Sequence, residues 1–273
     1  MMETVTRAVA TLCLALPLLA FSAAASAGGT GHLYLVGMGV GDRDNMTVRA
    51  VNVLKQADVV FAMRGMQKQY ADMLDGKEVH DAGHGLYASF GHRGSAKAAK
   101  ALARENREII RQAVAEGKTV AIIDGGDPMV YGPHTGYLKE FADLHPEVVP
   151  GVSSFNAANA ALLRAVTSGH ASHSAILTAA MGAKEGYQGK DTLAELARSQ
   201  SSMVFFTMGM DLPEVVRQLR AHYPGDTPIA IVSYAGYRSK QKVLEATLDT
   251  VIEKTSGGKL PFEHLIYVGD FLK

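Results

Sequence analysis

The chain has 273 residues, 47% of them hydrophobic and 20% charged, with no tryptophan. At ~100–200 residues per domain this is one large or two small domains, long enough to bury a core without disulfide or metal staples. Lys plus Arg and Asp plus Glu both number 27, so the net charge is zero; with no basic excess to neutralise a phosphate backbone, general nucleic-acid binding is disfavoured.

Residues 1–7 are polar with one arginine, Arg7, and residues 8–25 are almost wholly apolar. Ala25-Ser26-Ala27 then supplies the small residues that a signal peptidase reads. The pattern predicts a secretory signal over residues 1–27. It implies export to the periplasm or envelope, with no stable membrane span after cleavage. The alternative is a membrane anchor formed by residues 8–25, just long enough to span; Pro17 and the small-residue end favour cleavage. Cys13, the sole cysteine, lies inside this segment. The mature chain then has no thiol for a disulfide, a thiolate metal site or a nucleophile.

Beyond the signal, residues 32–36 read as a short apolar strand running into Gly37-Met38-Gly39-Val40-Gly41-Asp42. A helix over 46–57 follows, with Thr47 or Asn45 as its cap, then a strand over 58–62. This is the opening of a parallel α/β unit. Residues 71–94 read as loop with a short strand at 78–80. A long helix covers 95–116, a buried strand 119–124, a helix 135–144 and a short strand 147–149. An alanine-rich helix over 153–164 starts at a serine cap. Strands at 175–179, 203–207, 228–233, 242–247 and 264–268 and helices at 191–198, 211–222 and 248–254 complete the chain. Strands alternate with helices early and predominate late, and a boundary between 146 and 147 gives halves of similar size.

Three turns in this pattern could hold a ligand. Gly37, Gly39 and Gly41 leave no Cβ in the way of a bound molecule. Their spacing is not that of a dinucleotide fingerprint, and Asp42 would repel a phosphate, so a cofactor without phosphates is favoured; a tight strand-to-helix turn accounts for these glycines equally well. Residues 124–132 (DGGDPMVYG) also follow a buried strand. Ligands of open α/β sheets bind beyond the carboxyl ends of the strands, so the two loops point to one crevice. Gly151-Val152-Ser153-Ser154 adds a serine pair at a helix start, where free N–H groups can bind a carboxylate or ribose hydroxyls.

Residues 33–50 (LYLVGMGVGDRDNMTVRA), 126–132 (GDPMVYG), 148–154 (VVPGVSS), 204–210 (VFFTMGM) and 227–248 stand in the order of the signatures of the tetrapyrrole (corrin/porphyrin) methylases. The chain resembles that family across residues 32–273. The resemblance implies two α/β domains, residues 28–146 and 147–273, with a cofactor cleft between them. It implies S-adenosyl-L-methionine as cofactor, methyl transfer to a tetrapyrrole or related small molecule, and a homodimer. By the same resemblance Gly37, Gly39 and Val40 lie at the cofactor, and backbone of Gly125, Gly126 and Asp127 holds its methionyl part, with Val130 packed beside it. Ser153 and Ser154 sit near its amino-acid end or sugar. Met208 flanks the adenine, and Pro228 and Ala230, with Ala235 or Gly236, complete the adenine pocket. A sulfonium methyl is already activated, so the protein supplies mainly alignment and desolvation. The fold also serves diphthine synthases, ribosomal-RNA methylases and peptide-backbone N-methylases, so it does not name the substrate.

The chain departs from the family pattern at three places. Val40 replaces a usual proline, and Ala246 a usual glycine. Met63, followed by Arg64, stands where the sirohaem-making branch carries an acidic proton acceptor, so no catalytic base is assigned. These departures, with the histidines, leave an exported tetrapyrrole- or metal-binding member without methyl transfer as the alternative. His80, His84 and His92, and again His170 and His173, form clusters that could ligate a metal in a bound tetrapyrrole or simply face solvent; no zinc-type spacing occurs. Tyr87, Phe90, His92 and Arg93 suit a flat acidic macrocycle by stacking and by pairing a carboxylate, though an aromatic cluster packing the loop fits as well. Tyr131 is placed at the shared cleft. His84, Tyr87, His92, Arg93 and Tyr131 are therefore the substrate-side candidates.

Overall fold

The computed structural model describes residues 31–87, 95–179, 181–207, 210–255 and 260–273. The signal segment, His92, Arg93 and Met208 lie outside them. The first half comprises β1 (His32–Gly37), α1 (Val48–Gln56), β2 (Val59–Ala62), α2 (Arg64–Gln69), β3 (Glu78–Asp81), α3 (Ala96–Ala115), β4 (Thr119–Asp124), α4 (Pro128–Tyr131), α5 (Gly136–Glu140) and β5 (Glu147–Val149). Its strands form one parallel sheet in the order β3-β2-β4-β1-β5. The central strands are continuous apolar runs because both faces are covered. Val36, Leu54, Val60 and Tyr70 pack on one side; Leu35, Phe61, Ile110, Ile122 and Tyr137 pack on the other. The helices α1 and α3 start where side-chain oxygens replace missing backbone partners. Thr47 accepts from Ala50 N and Ser95 from Ala98 N.

The strand Glu147–Val149 does not open the second half. It pairs with β1, Val36 opposite Val149, and so covers an edge that would otherwise expose unpaired backbone. The chain changes sheets at residues 150–153, a few residues beyond the expected boundary.

The second half comprises α6 (Ser154–Leu162), β6 (Ala175–Thr178), α7 (Leu193–Ala197), β7 (Ser202–Phe206), α8 (Leu212–Leu219), β8 (Pro228–Ser233), β9 (Lys242–Thr247), α9 (Val251–Thr255) and β10 (His264–Val268). Its sheet runs β6-β7-β10-β8-β9. Only β6 and β7 pair in parallel; the other neighbours are antiparallel. Side chains alternate between its faces, as the pleat requires. Met203, Phe205, Ile229 and Ile231 meet Leu193, Val215 and Leu219, whereas Val204, Phe206, Ala230 and Val232 meet Ala157, Ala158 and Leu162 of α6. Val40, from the first half, packs against this second cluster. The two-domain α/β architecture is the one the sequence implied. Among the described residues no helix is long and apolar enough to cross a membrane.

Candidate active site

The turn after β1 and the turn after β4 are in direct contact. Gly39 N donates to Gly126 O at 3.1 Å and Gly126 N to Gly39 O at 2.9 Å, while Met38 N donates to Asp124 O at 2.8 Å. The turn before α6 joins them: a Cβ on Gly151 would lie 2.0 Å from Gly126 O. Three connections at the carboxyl ends of β1, β4 and β5 thus share one point, as open parallel sheets place their ligands.

A fourth loop, from the second half, closes on this point. Asp42 N donates to Gly236 O at 2.9 Å, and Arg238 N donates to Asp42 Oδ2 at 3.0 Å. The Arg238 guanidinium also pairs with Asp44. Asn45 is not a helix cap; its Nδ2 donates to Val40 O at 2.9 Å and to Gly236 O at 3.1 Å, bridging the two halves. Gly41 has φ +81°, and a Cβ there would sit 2.2 Å from Gly236 C, so glycine is required at that crossing. Asp42, placed by sequence against phosphates, is part of this latch.

Beside the latch lies an open cleft of about 180 Å³. Val40, Tyr131 and Ser154 line one side; Phe206, Thr207, Val232, Ala235, Phe262, Glu263, His264 and Leu265 line the other. Tyr131 reaches across and stacks on Phe206, ring centres 5.3 Å apart and planes 14° from parallel. Among the lining residues, His264 has its imidazole held below the usual range, chiefly by burial, against backbone hydrogen bonds to Pro261 and Phe262 that raise it.

Of the cofactor-side candidates, Val40, Ser154 and Ala235 line the cleft, and Gly37, Gly39, Gly126 and Gly236 build the loop junction around it. Gly125 is exposed, and a Cβ there would meet nothing within 4 Å. Asp127 caps α4, accepting from Met129 N at 2.9 Å, and Val130 is 38% exposed next to it. Ser153 is buried and spends its hydroxyl on Asn156, accepting from its backbone and donating to its side chain at 2.7 Å. Pro228 and Ala230 sit further down β8: the Pro228 carbonyl accepts from Gly269 and Ala230 is fully buried under α6. Val232, two residues along the same face, reaches the cleft in their place.

On the substrate side, Tyr131 is at the cleft and Tyr87 is not. Tyr87 packs edge-on to Tyr137 at 4.9 Å, and its hydroxyl donates to Ala103 O at 2.5 Å. Burial pushes its phenol up to about 12, as for a ring that packs the first domain. His84 follows the turn after β3. Sequence reading missed Phe206, Thr207 and His264, which sit at strand ends, and His134, which lies wholly buried beneath the glycine loop. His134 Nε2 is 2.9 Å from Gly83 O. Its Nδ1 is 3.1 Å from Asp124 Oδ2, off the hydrogen-bond direction. The other oxygen of Asp124 accepts from Gly125 N, so His134 braces the loop from below.

Two α/β layers whose glycine turns meet at an interdomain cleft are the build of an enzyme acting on small molecules. The family model of the tetrapyrrole (corrin/porphyrin) methylases matches residues 32–252, and the chain belongs to that family. A siroheme synthase of Nitrosospira multiformis is 32% identical over 245 residues, covering 88% of this chain and 49% of that protein. The chain therefore spans about half the length of the siroheme synthases it matches. A cobalt-precorrin-4 C(11)-methyltransferase of Methanocaldococcus jannaschii is 29% identical over 241 residues, 87% of each chain. Among solved structures, the cobalamin biosynthetic enzyme cobalt precorrin-4 methyltransferase superposes with a TM-score of 0.70 at 25% identity, covering 89% of this chain and 96% of that one.

Proposed function

We propose that this chain transfers a methyl group from S-adenosylmethionine to a tetrapyrrole, a corrin or porphyrin precursor, in the cleft between its two halves. The observation that carries the reading is the meeting of the Gly39 and Gly126 turns at the cleft wall, closed from the second half by Gly236. The residues fit the cofactor. The open backbone at Gly125 suits a polar amino-acid end, and the apolar walls of Val40, Val232, Ala235 and Leu265 suit a nucleoside. When bound, S-adenosylmethionine supplies a methyl already activated on sulfur. The chain's own share is to hold it, exclude water and align the acceptor. Family membership and the relatives that methylate precorrins support the tetrapyrrole as acceptor.

Export through residues 1–27 and pairing as a homodimer belong to the same proposal, supported by the signal pattern and by the family resemblance respectively. One observation favours a second reading, an exported tetrapyrrole-binding member without methyl transfer. Met63 follows β2, where an acid would accept a proton, and the neighbouring Arg64 lies 3.4 Å from Asp81. Incubation with S-adenosylmethionine labelled in its methyl group and a panel of reduced tetrapyrroles decides between them. Label in the macrocycle is the expected result. Tight tetrapyrrole binding with no cofactor binding by calorimetry establishes the second reading instead. Light scattering checks the dimer, and fractionation of the cells that make the full chain checks export.

A further inference from the structure

One end of the cleft is lined by two acceptor side chains, His264 and Glu263. β10 and β7 pair with Leu265 opposite Phe206, which brings Thr207 against His264. The Thr207 hydroxyl donates to His264 O at 2.7 Å. His264 Nδ1 lies 2.6 Å from Pro261 O. A carbonyl only accepts, so the ring proton sits on Nδ1 and the neutral imidazole carries a bare lone pair on Nε2. Burial depresses the basicity of this ring and keeps it neutral. Nε2 has no protein partner among the described residues. Glu263 adds a carboxylate next door, and both residues line the cleft.

Apart from Ser154, the rest of the lining is apolar or aromatic, with Val40, Val232, Ala235 and Leu265 around Tyr131, which lies flat on Phe206. Such a slot takes a planar ring, and its acceptor end selects a ring that carries N–H at its edge. The same end repels carboxylates, which surround every tetrapyrrole precursor, so the acceptor substrate does not enter there. We infer that His264 Nε2 accepts a hydrogen bond from the exocyclic amine of the adenine of S-adenosylmethionine, which makes His264 the residue that specifies the nucleobase. The inference rests on the methyl-transfer reading of this cleft. A ribose hydroxyl is the other donor in the same ligand, and the experiment separates the two.

The test is calorimetry on the full chain with three compounds: S-adenosylhomocysteine, its inosine counterpart in which a carbonyl replaces the amine, and its 2′-deoxyribose counterpart. The wild type binds the adenosyl compound at least tenfold more tightly than the inosyl one, because two lone pairs would otherwise face each other. His264→Ala weakens adenosyl binding about tenfold, the worth of one hydrogen bond in an enclosed site, and loses the preference. His264→Gln, which can present a carbonyl at a similar reach, restores part of it and serves where the alanine variant fails to fold. A wild type without preference, or an unchanged preference in either variant that folds, overturns the inference. So does a His264 variant that loses only the distinction between ribose and deoxyribose. A wild type that binds none of the three compounds overturns the methyl-transfer reading itself, which is a separate result.

Discussion

The first half brings to the cleft a junction of packed main chain and two side chains, Val40 and Tyr131, whereas the second half brings most of the lining side chains. On one side Gly37, Gly39 and Gly151 press against the main chain of Gly126 and Asn45, with no room for a Cβ. On the other side Phe206, Thr207, Val232, His264 and Leu265 project from the ends of three adjacent strands. The backbone junction sets where Val40 and Ser154 stand at the cleft, since hydrogen bonds between Gly39 and Gly126 at 2.9 and 3.1 Å tie the turns together. The side-chain wall decides which ligand sits there, since its chemistry is set by Thr207, Glu263 and His264.

That division is open to attack, most forcefully at Gly151. Gly151→Ala puts a Cβ 2.0 Å from Gly126 O, backbone against backbone; the expected loss of stability is about 3 kcal/mol, read from denaturant unfolding. A variant as stable as wild type would show that the backbone wall yields. Next comes Asn45→Ala, which removes the donations to Val40 O and Gly236 O. The expected cost is about 2 kcal/mol, with binding of S-adenosylhomocysteine weakened because the halves separate. Unchanged binding in calorimetry would mean the latch does not shape the cleft.

The smallest effect belongs to the side-chain wall and appears on changing pH. His264 has its pKa lowered by burial from an ordinary 6.5. The unfolded chain therefore takes up a proton there before the folded chain does, and folded stability falls as pH drops below 6.5 toward the depressed value. Thermal unfolding across that window should be flatter in His264→Gln than in wild type. Equal slopes would place the imidazole in a more solvated setting than the cleft wall.

The same contrast explains what the amino-acid sequence revealed. Glycine turns after apolar strands were legible because glycine leaves few other reasons for its presence, and β8, β9 and β10 were read to the residue from their patterns. The caps Thr47, read as an alternative to Asn45, and Ser153 were legible for a similar reason, being local. α2 was not: only Met66 of its six residues is buried, so it has no apolar rhythm. α4 was hidden inside a turn signal. Tyr87 was misplaced because an aromatic that packs and one that stacks a ligand look alike until their neighbours are known. Asn45 meets a partner 191 residues away, a pairing no local pattern announces. His264 heads a strand whose remaining residues are apolar, and that lone polar position was the available signal.

β5 has a consequence for how the molecule is made. It completes the first sheet at Val149, and every strand it joins precedes it in the chain. That sheet can close while the remaining residues are still emerging from the ribosome, in keeping with the tendency of domains to fold as units during synthesis. The cleft cannot, because Gly236 and His264 are translated late. A nascent chain is thus blind to its cofactor until both sheets have been made, and ligand capture reports that the second half has followed the first.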